Sequence, residues 1–185
     1  MEKTTLQSIR ERSSHRKYLP DQLTEQQRSA IVDAALQSPS AVNAQPWHFT
    51  VVQDQALLAD INKTAAKHAL KREVGTRSPR FGDETFHVFY HAPTVIFISA
   101  HKSHYAPIDC GIAVQSMALA AESLGLGSVI LGLPREAFVD EDKERLERAL
   151  KFPADYGYVI SIAIGTPDDE KAPHEMDPAK VSYIR

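Results

Sequence analysis

The longest apolar stretch of the sequence is the feature that most constrains the fold. From about Tyr105 to Leu124 the chain has the spacing of one long helix, with apolar side chains on almost every side. These side chains belong to Ile112, Ala113, Val114, Met117, Ala118, Leu119, Ala120, Ala121 and Leu124. A helix that is apolar all round is buried over most of its surface. In a small domain, this predicts a central helix that packs on the core and also on a second subunit.

The composition limits what the rest of the chain can do. The 185 residues predict a single domain, 1–185. Lys and Arg number 21 against 24 Asp and Glu, a formal charge of −3, so we do not expect nucleic acid as the main partner. Cys110 is the one cysteine, which excludes an intrachain disulfide and a CxxC pair. Any redox chemistry therefore needs a bound cofactor.

The sequence contains no apolar run of about 18 residues, the length that a membrane span needs. Its first residues have no apolar centre and no small-residue cleavage site, unlike a secretory signal. We therefore expect no membrane partner and a cytoplasmic location.

Around the central helix the sequence predicts a mixed α+β sandwich. The predicted helices cover 4–14, 24–37, 54–70 and 135–151, and the predicted strands cover 47–52, 94–100, 128–131 and 158–164. Residues 71–91 are predicted to be a loop with at most one short helix. The tail, 166–185, ends in VSYIR, which could add an edge strand to a partner. Two helices precede the first strand, which differs from the strand-first pattern of doubly wound folds.

A basic cluster follows the first predicted helix. Arg12, Ser14 and Arg16 alternate, so an extended backbone would point all three in one direction. Two guanidinium groups and a hydroxyl can hold a phosphate through charge-assisted hydrogen bonds. The alternative is a solvated basic end of the helix, where cations also suit the helix dipole.

A turn-rich segment, 38–47, joins the second predicted helix to the first strand. Asn43 and Gln45 carry amides that both donate and accept hydrogen bonds, which suits the edge of a flavin pyrimidine ring or of a base. The alternative is that these amides satisfy the local backbone, as amides in loops usually do.

A glycine-rich segment, 125–134, contains a GxG pattern. Its glycines follow a helix and precede a strand, the reverse of a dinucleotide-binding fingerprint, so we exclude a Rossmann site. Gly132, just after the strand, would allow close approach of the backbone to a flat ligand, or would simply form a turn.

Metal and nucleophile sites are not expected. His101 and His104 lie three residues apart without a matching set of ligands, and His87 and His91 do not belong to an HExxH motif. No GxSxG motif is present, and Cys110 is expected to pack at the start of the central helix.

Taken together and in chain order, these segments resemble the FMN-dependent nitroreductase family. The pattern RxSxR followed by an aromatic matches Arg12, Ser14, Arg16 and Tyr18. SPSAVNAQPWHF (38–49), DCGIAVQSMALAAESLGLGS (109–128) with the following ILG, and YVISIAIGTPDDE (158–170) resemble three further family segments. The resemblance implies a nitroreductase-like three-layer sandwich with a mixed, mainly antiparallel sheet flanked by helices, assembled as a homodimer. It also implies that the tail packs on the partner subunit.

The resemblance assigns roles to particular residues. Arg12, Ser13, Ser14 and Arg16 would bind the FMN phosphate, the ribityl chain and part of the pyrimidine ring. Pro39, Ser40 and Asn43 of the partner subunit would line the isoalloxazine ring, with Gln45 nearby. The backbone of Leu131 and Gly132 would lie by flavin N5, which carries the hydride, so no protein side chain is assigned as catalytic.

The implied activity is transfer of a hydride from NADH or NADPH, through FMN, to a nitroaromatic, a quinone or a related small-molecule oxidant by a ping-pong mechanism. Two alternatives keep the flavin: specialised chemistry such as dehydrogenation, dehalogenation or flavin fragmentation, and non-enzymatic FMN binding. The chain departs from the family where Pro173, His174 and Glu175 replace a C-terminal Lys/Arg pair, with Lys171 and Lys180 the nearest cations. Leu131 also stands where some members have an acidic residue.

Overall fold

The computed structural model describes residues 3–185, which form five α-helices and one four-stranded sheet. The elements are α1 (Thr5–Glu11), α2 (Glu25–Leu36), β1 (Trp47–Val52), α3 (Gln55–Lys71), β2 (Thr94–His101), α4 (Ala106–Ser123), β3 (Gly127–Leu131), α5 (Asp140–Ala149) and β4 (Tyr156–Gly165). Short 3-10 turns cover Ala41–Asn43, Pro79–Gly82, Leu133–Ala137 and Pro178–Lys180. None of the helices in residues 3–185 combines the length and apolar character needed to cross a membrane.

The sheet is the middle of three layers. Its strands lie in the order β1-β2-β4-β3, and all neighbouring strands are antiparallel. Side chains alternate between the faces: Ile96 and Ile98 join the core formed with α2 and α4, whereas Val95 and Phe97 join the core formed with α3, α5 and 81–92. The parallel pairing found among the described residues is an isolated bridge between residues 14 and 128. The predicted α+β sandwich with a mainly antiparallel sheet is therefore confirmed.

Local capping signals fix several helix ends where the sequence predicted them. Thr24 begins α2 with a capping box, and the Asp54 carboxylate accepts hydrogen bonds from the first turn of α3. After α4, Gly125 takes a φ of 73°, and the N–H of Leu126 donates to the carbonyl of Ala121. This bonding pattern is a Schellman motif, which needs a left-handed residue and so favours glycine.

Two predicted helix boundaries are wrong. The first helix ends at Glu11 rather than at residue 14, because Arg12 already has ψ 124°. The helix predicted over 135–151 covers only Asp140–Ala149. Phe138 is buried and stacks on Tyr158 with ring centroids 4.5 Å apart, so packing against the sheet breaks the helix there. Val139 is then extended, with φ −134° and ψ 160°.

The central helix α4 is buried on one side only within a single chain. Ile108 and Ile112 are 58% and 38% exposed, whereas Ala113, Met117 and Ala118 are fully buried. Helix α1 packs on α4 and exposes Leu6 and Ile9. We call Leu6, Ile9, Ile108 and Ile112 the α1–α4 surface. Within one chain the core-facing side of α4 is thus buried, as predicted, and the other apolar face has no cover among residues 3–185; its packing on a second subunit stays a prediction.

Close packing at the end of β4 gives a first testable prediction. A Cβ on Gly165 would lie 2.7 Å from Cδ of Pro93 and 3.0 Å from Cδ1 of Tyr18. Because the proline ring cannot rotate away, Gly165→Ala is expected to lower the free energy of unfolding by about 1–3 kcal/mol. Gly157→Ala on the same strand is the control, since its Cβ would have no atom nearer than 3.9 Å. Urea unfolding of both variants checks this; equal stabilities would contradict it.

Candidate functional site

The basic segment 12–18 leaves α1 and runs beside the edge strand β3. The N–H of His15 donates to the carbonyl of Ser128 at 3.0 Å, next to the bridge between Ser14 and Ser128. Further along, the N–H of Leu19 donates to the carbonyl of Thr166, just beyond β4. The segment is therefore held in an extended conformation between β3 and the residues that follow β4. An extended backbone is what the sequence argument needs for the side chains of Arg12, Ser14 and Arg16 to point in one direction.

The two guanidinium groups of this segment have no carboxylate partner among residues 3–185. Arg12 is half-buried and Arg16 is exposed, and neither guanidinium contacts a carboxylate in the part of the chain that the structure describes. Among residues 3–185, the Arg16 guanidinium donates a hydrogen bond to the carbonyl of Ser14, at 3.3 Å. By contrast, Arg145 on α5 contacts both Asp60 and Asp142. The segment thus offers positive charge and hydrogen-bond donors to an external anion.

Ser13 is used differently from the rest of the segment. Its side chain is buried, with the hydroxyl 3.3 Å from Nε2 of His15 and 3.4 Å from the carbonyl of Lys171. The Ser14 hydroxyl is half-buried and makes no hydrogen bond among residues 3–185. Of the two hydroxyls, Ser14 is therefore the one that remains available to a ligand.

The segment 38–46 is a strained loop anchored on α4. The buried carboxylate of Asp109 accepts from the N–H of Ala41 at 3.1 Å, and the hydroxyl of Ser38 lies 2.8 Å from that of Ser116. Val42, Asn43 and Gln45 all have positive φ, of 49°, 55° and 44°. A β-branched residue with positive φ is rare, and such strain persists only where the surroundings impose it.

The predicted ring-contacting side chains of this loop point away from the chain's own core. Pro39, Asn43 and Gln45 are exposed, and Ser40 is half-buried with its hydroxyl accepting from the N–H of Gln45. The amide of Gln45 donates to that of Asn43 at 3.1 Å. No hydrogen bond in residues 3–185 links this loop to the basic segment or to Gly132.

Leu131 and Gly132 lie at the other end of β3 from Ser128. Leu131 is buried, and its carbonyl accepts from the hydroxyls of Tyr158 and Ser161. Gly132 is exposed, and a Cβ added there would have no atom within 4 Å. Strand β3 thus connects the basic segment to an open backbone position, which would admit a flat group.

The comparison with known families decides the classification. The model of the nitroreductase family matches residues 9–166, which is most of the chain. The chain belongs to the nitroreductase family. The match includes the basic segment, the strained loop and β3.

Solved and named relatives agree with this membership. A nitroreductase with bound FMN from Desulfitobacterium hafniense superposes with a TM-score of 0.93 and 30% identity, covering 100% of both chains. A protein of Archaeoglobus fulgidus, described as a candidate NADH dehydrogenase or NAD(P)H nitroreductase, is 32% identical over 177 residues, 93% of this chain and 90% of its own. An iodotyrosine deiodinase of Thermotoga neapolitana is 27% identical over 157 residues, 80% of this chain and 81% of its own. The nitroreductase fold expected from the resemblance is confirmed.

Sequence reasoning missed two residues that accompany Arg16 in this family member. The Arg16 guanidinium lies 5.7 Å from the ring centre of Tyr90, and that of Arg80 lies 6.0 Å from the same ring. Arg80 also hydrogen-bonds the Tyr90 hydroxyl. Tyr90 and His91 both have positive φ. A tyrosine does not predict a positive φ, so the sequence offered only the unassigned loop 71–91. Its single predicted short helix corresponds to Pro79–Gly82.

Burial shifts the pKa values of two groups that the sequence raised as a possible nucleophile and a possible metal ligand, Cys110 and His87. Cys110 is fully buried, and burial together with the charge of Asp109 raises the pKa of its thiol to about 12. Burial and the neighbouring His91 lower the pKa of His87 to about 4. A thiol with that pKa is not a nucleophile at neutral pH.

Among the described residues, one group of His and carboxylate side chains lies close enough to hold a metal ion: His68, Glu141 and Asp142. Lys67 contacts both of those carboxylates, at 3.0 and 2.8 Å, and Arg145 also contacts Asp142. Hydrogen bonds from Lys67 and His68 hold the pKa of Asp142 well below its usual range. This group is an ion-pair network between α3 and α5.

A wide groove of the described chain lies away from the predicted flavin contacts. A groove of about 1270 Å³ runs between the start of α4, α5 and the start of β4, and His101 and Glu147 are among its lining residues. None of the ten residues assigned to the flavin lines it. Size alone therefore does not identify the flavin site, and the charge and hydrogen-bond evidence at β3 carries more weight.

Proposed function

We propose that this chain is an FMN-dependent oxidoreductase that uses NADH or NADPH to reduce a small-molecule acceptor such as a nitroaromatic or a quinone. The observation that carries the proposal is the basic segment beside β3, where Arg12 and Arg16 have no carboxylate partner among residues 3–185. Membership of the family and the FMN-bound relative support it.

The donor set fits the phosphate of FMN. Two guanidinium groups and the free hydroxyl of Ser14 supply charge-assisted donors of the kind that bind phosphate. Ser13 would contribute by supporting the segment rather than by its hydroxyl, which is already used internally. The main chain of Lys171 lies against Ser13, which brings one C-terminal cation to this region in place of the Lys/Arg pair of other members.

The other end of β3 suits the ring. Open space beside Gly132 would admit a flat group, and the main chain of Leu131 and Gly132 would meet the reactive edge of that group. Pro39, Ser40, Asn43 and Gln45 would reach the ring from a second copy of the chain. We therefore propose a homodimer with FMN between the subunits. The start of the tail, 166–171, bonds to the chain's own basic segment, which corrects the expectation for that part, so we propose that only the exposed remainder, 172–185, packs on the partner.

The chemistry divides between cofactor and protein. FMN, when bound, supplies hydride acceptance from NAD(P)H and electron transfer to the acceptor. Arg12 and Arg16 would hold the anionic end, and main-chain donors near Gly132 would favour the charge that reduction places on the ring. We propose that NAD(P)H and the acceptor occupy one exposed face in turn, a ping-pong mechanism. Such a reaction fits the cytoplasmic location expected from the sequence.

A second candidate keeps the same site but changes its use. The similarity to an iodotyrosine deiodinase favours reductive dehalogenation as a specialised flavin reaction. Rapid NAD(P)H oxidation with nitroaromatics or quinones would support the first candidate. Slow turnover with every such acceptor, but reduction of a halogenated phenol, would support the second.

Absorption spectroscopy of the purified protein tests the proposal directly. The protein is expected to be yellow with the spectrum of oxidised flavin, and NADH or NADPH under anaerobic conditions is expected to bleach it. Acid release followed by chromatography distinguishes FMN from FAD and riboflavin. A colourless protein that neither takes up FMN nor oxidises NAD(P)H would show that the proposed function is wrong.

A further inference from the structure

One carboxylate of the C-terminal segment holds two consecutive residues of the basic segment. Oδ1 of Asp169 lies 2.6 Å from Nδ1 of His15, and Oδ2 accepts from the main-chain N–H of Arg16 at 3.2 Å. The side chains of Asp169 and His15 are each only 13% exposed. Charge-assisted hydrogen bonds of this length and burial are among the stronger ones in proteins.

The surrounding contacts fix His15 on several sides. Its other ring nitrogen, Nε2, lies 3.3 Å from the Ser13 hydroxyl. A Cβ on Gly127 would lie 2.9 Å from Cγ of His15, so the ring rests directly on the backbone of β3. The imidazole therefore has little freedom to leave the carboxylate.

The two chain segments also run against each other through their backbones. The N–H of Asp168 donates to the carbonyl of Lys17 at 3.0 Å, and Tyr18 forms a bridge with Pro167. Asp169 thus lies at the end of a short antiparallel contact between the tail and the basic segment that contains Arg12, Ser14 and Arg16. The position of these residues depends on the tail as well as on β3.

Asp169 places an ionised carboxylate next to the proposed phosphate site. Burial acts to raise its pKa, but hydrogen bonds from His15 and from the N–H of Arg16, with the charge of Lys171, hold that pKa below the usual range. An ionised carboxylate beside a phosphate site repels the phosphate. If Asp169 supports FMN binding, it therefore does so by holding the basic segment in place and not through its charge.

We propose that Asp169 and His15 form a clip that positions the Arg12–Arg16 segment for the phosphate of FMN. Both are positioning residues, and the proposal rests on the proposed function. The clip makes phosphate affinity depend on the C-terminal segment, although that segment brings a negative charge close to the ligand.

Paired Asn variants separate positioning from charge. Asp169→Asn replaces one carboxylate oxygen by an NH2 donor and removes the charge, so the charge-assisted hydrogen bonds to His15 and to the N–H of Arg16 are lost together. We therefore expect about tenfold weaker FMN binding, equivalent to about 1.4 kcal/mol. Asp168→Asn makes the same change one residue away, at an exposed side chain without a hydrogen bond among residues 3–185. Loss of repulsion alone predicts unchanged or tighter binding for both. Weaker binding only in Asp169→Asn therefore supports the clip.

Riboflavin, which lacks the phosphate, shows whether the effect is specific. Fluorescence titration of the full-length apoprotein with FMN and with riboflavin gives the ratio of the riboflavin Kd to the FMN Kd, which measures the preference for the phosphate. We expect Asp169→Asn to reduce this ratio about tenfold while leaving riboflavin affinity unchanged, a result that general damage to the fold would not give. His15→Ala should act in the same direction, and the double variant should not add a further loss.

The outcomes distinguish the clip from the function on which it rests. A wild-type protein that binds neither FMN nor riboflavin overturns the proposed function and the clip with it. A wild type that prefers FMN, with that preference intact in Asp169→Asn and His15→Ala, overturns the clip alone. Equal losses for FMN and riboflavin in the variants would also overturn it, because the effect would not pass through the phosphate.

Discussion

Replacing Arg12 with alanine is expected to lower FMN affinity about 100-fold, the equivalent of about 2.7 kcal/mol. The guanidinium is half-buried and has no carboxylate partner among residues 3–185, so no internal ion pair competes for it. Removing it deletes charge-assisted hydrogen bonds to the phosphate and leaves nothing to replace them. Titration of FMN fluorescence against the apoprotein measures the change.

Arg148→Ala is a suitable control for that experiment. Arg148 lies on α5, its side chain is 74% exposed, and among residues 3–185 its guanidinium pairs with the carboxylate of Glu144 on the same helix, at 3.4 Å. Exposed pairs of this kind contribute little to stability, so the variant makes the same change of net charge without touching the site. Arg12→Lys should retain part of the affinity because it keeps the charge but not the paired donors. Unchanged FMN binding in Arg12→Ala would contradict the phosphate assignment.

Local signals in the sequence were sufficient where the structure depends on a few neighbouring residues. The cap at Asp54 and the left-handed turn at Gly125 act within one helical turn, so each could be predicted from its own segment. The start of α5 could not, because it depends on Phe138 stacking on Tyr158 of a distant strand. Tertiary packing there overrides a helical pattern that is locally sound.

The candidate site shows the same division. The alternation of Arg12, Ser14 and Arg16 was visible in the sequence, but the lack of carboxylate partners required the folded chain. The contact between His15 and Asp169 joins residues 154 positions apart and depends on β4 ending beside β3. Similarly, Tyr90 lies against Arg16 from a loop without a regular hydrophobic period, and a tyrosine does not predict the positive φ that it adopts there. The sequence pattern predicts the candidate anion-binding residues, whereas the contacts that hold them, from Asp169 and Tyr90, depend on long-range packing.

The second large effect is expected at the α1–α4 surface. Ile112→Glu should convert the proposed homodimer to a monomer, because a two-fold interface at this surface would bury the new carboxylate twice without a partner. A cost of about 4 kcal/mol corresponds to about a 1000-fold rise in the Kd of the dimer. Size-exclusion chromatography with light scattering measures the assembly, and FMN content is measured on the same samples.

Leu70→Glu provides the matched control for the interface. Leu70 is 50% exposed at the end of α3, in the layer on the opposite side of the sheet from α4. The same kind of substitution there should leave both the dimer and the FMN content unchanged. A dimeric Ile112→Glu protein would contradict the assignment of the interface to this surface.

Loss of FMN together with loss of the dimer would show that one chain provides only part of the site. The loop 39–45 supports this expectation, since its exposed amides at Asn43 and Gln45 bond only each other within the described chain. Asn43→Ala separates the two effects, because it should weaken FMN binding while leaving a dimer. A monomeric Ile112→Glu protein with full FMN affinity would instead place the whole site in one chain, and the partner's loop would then have no role in binding.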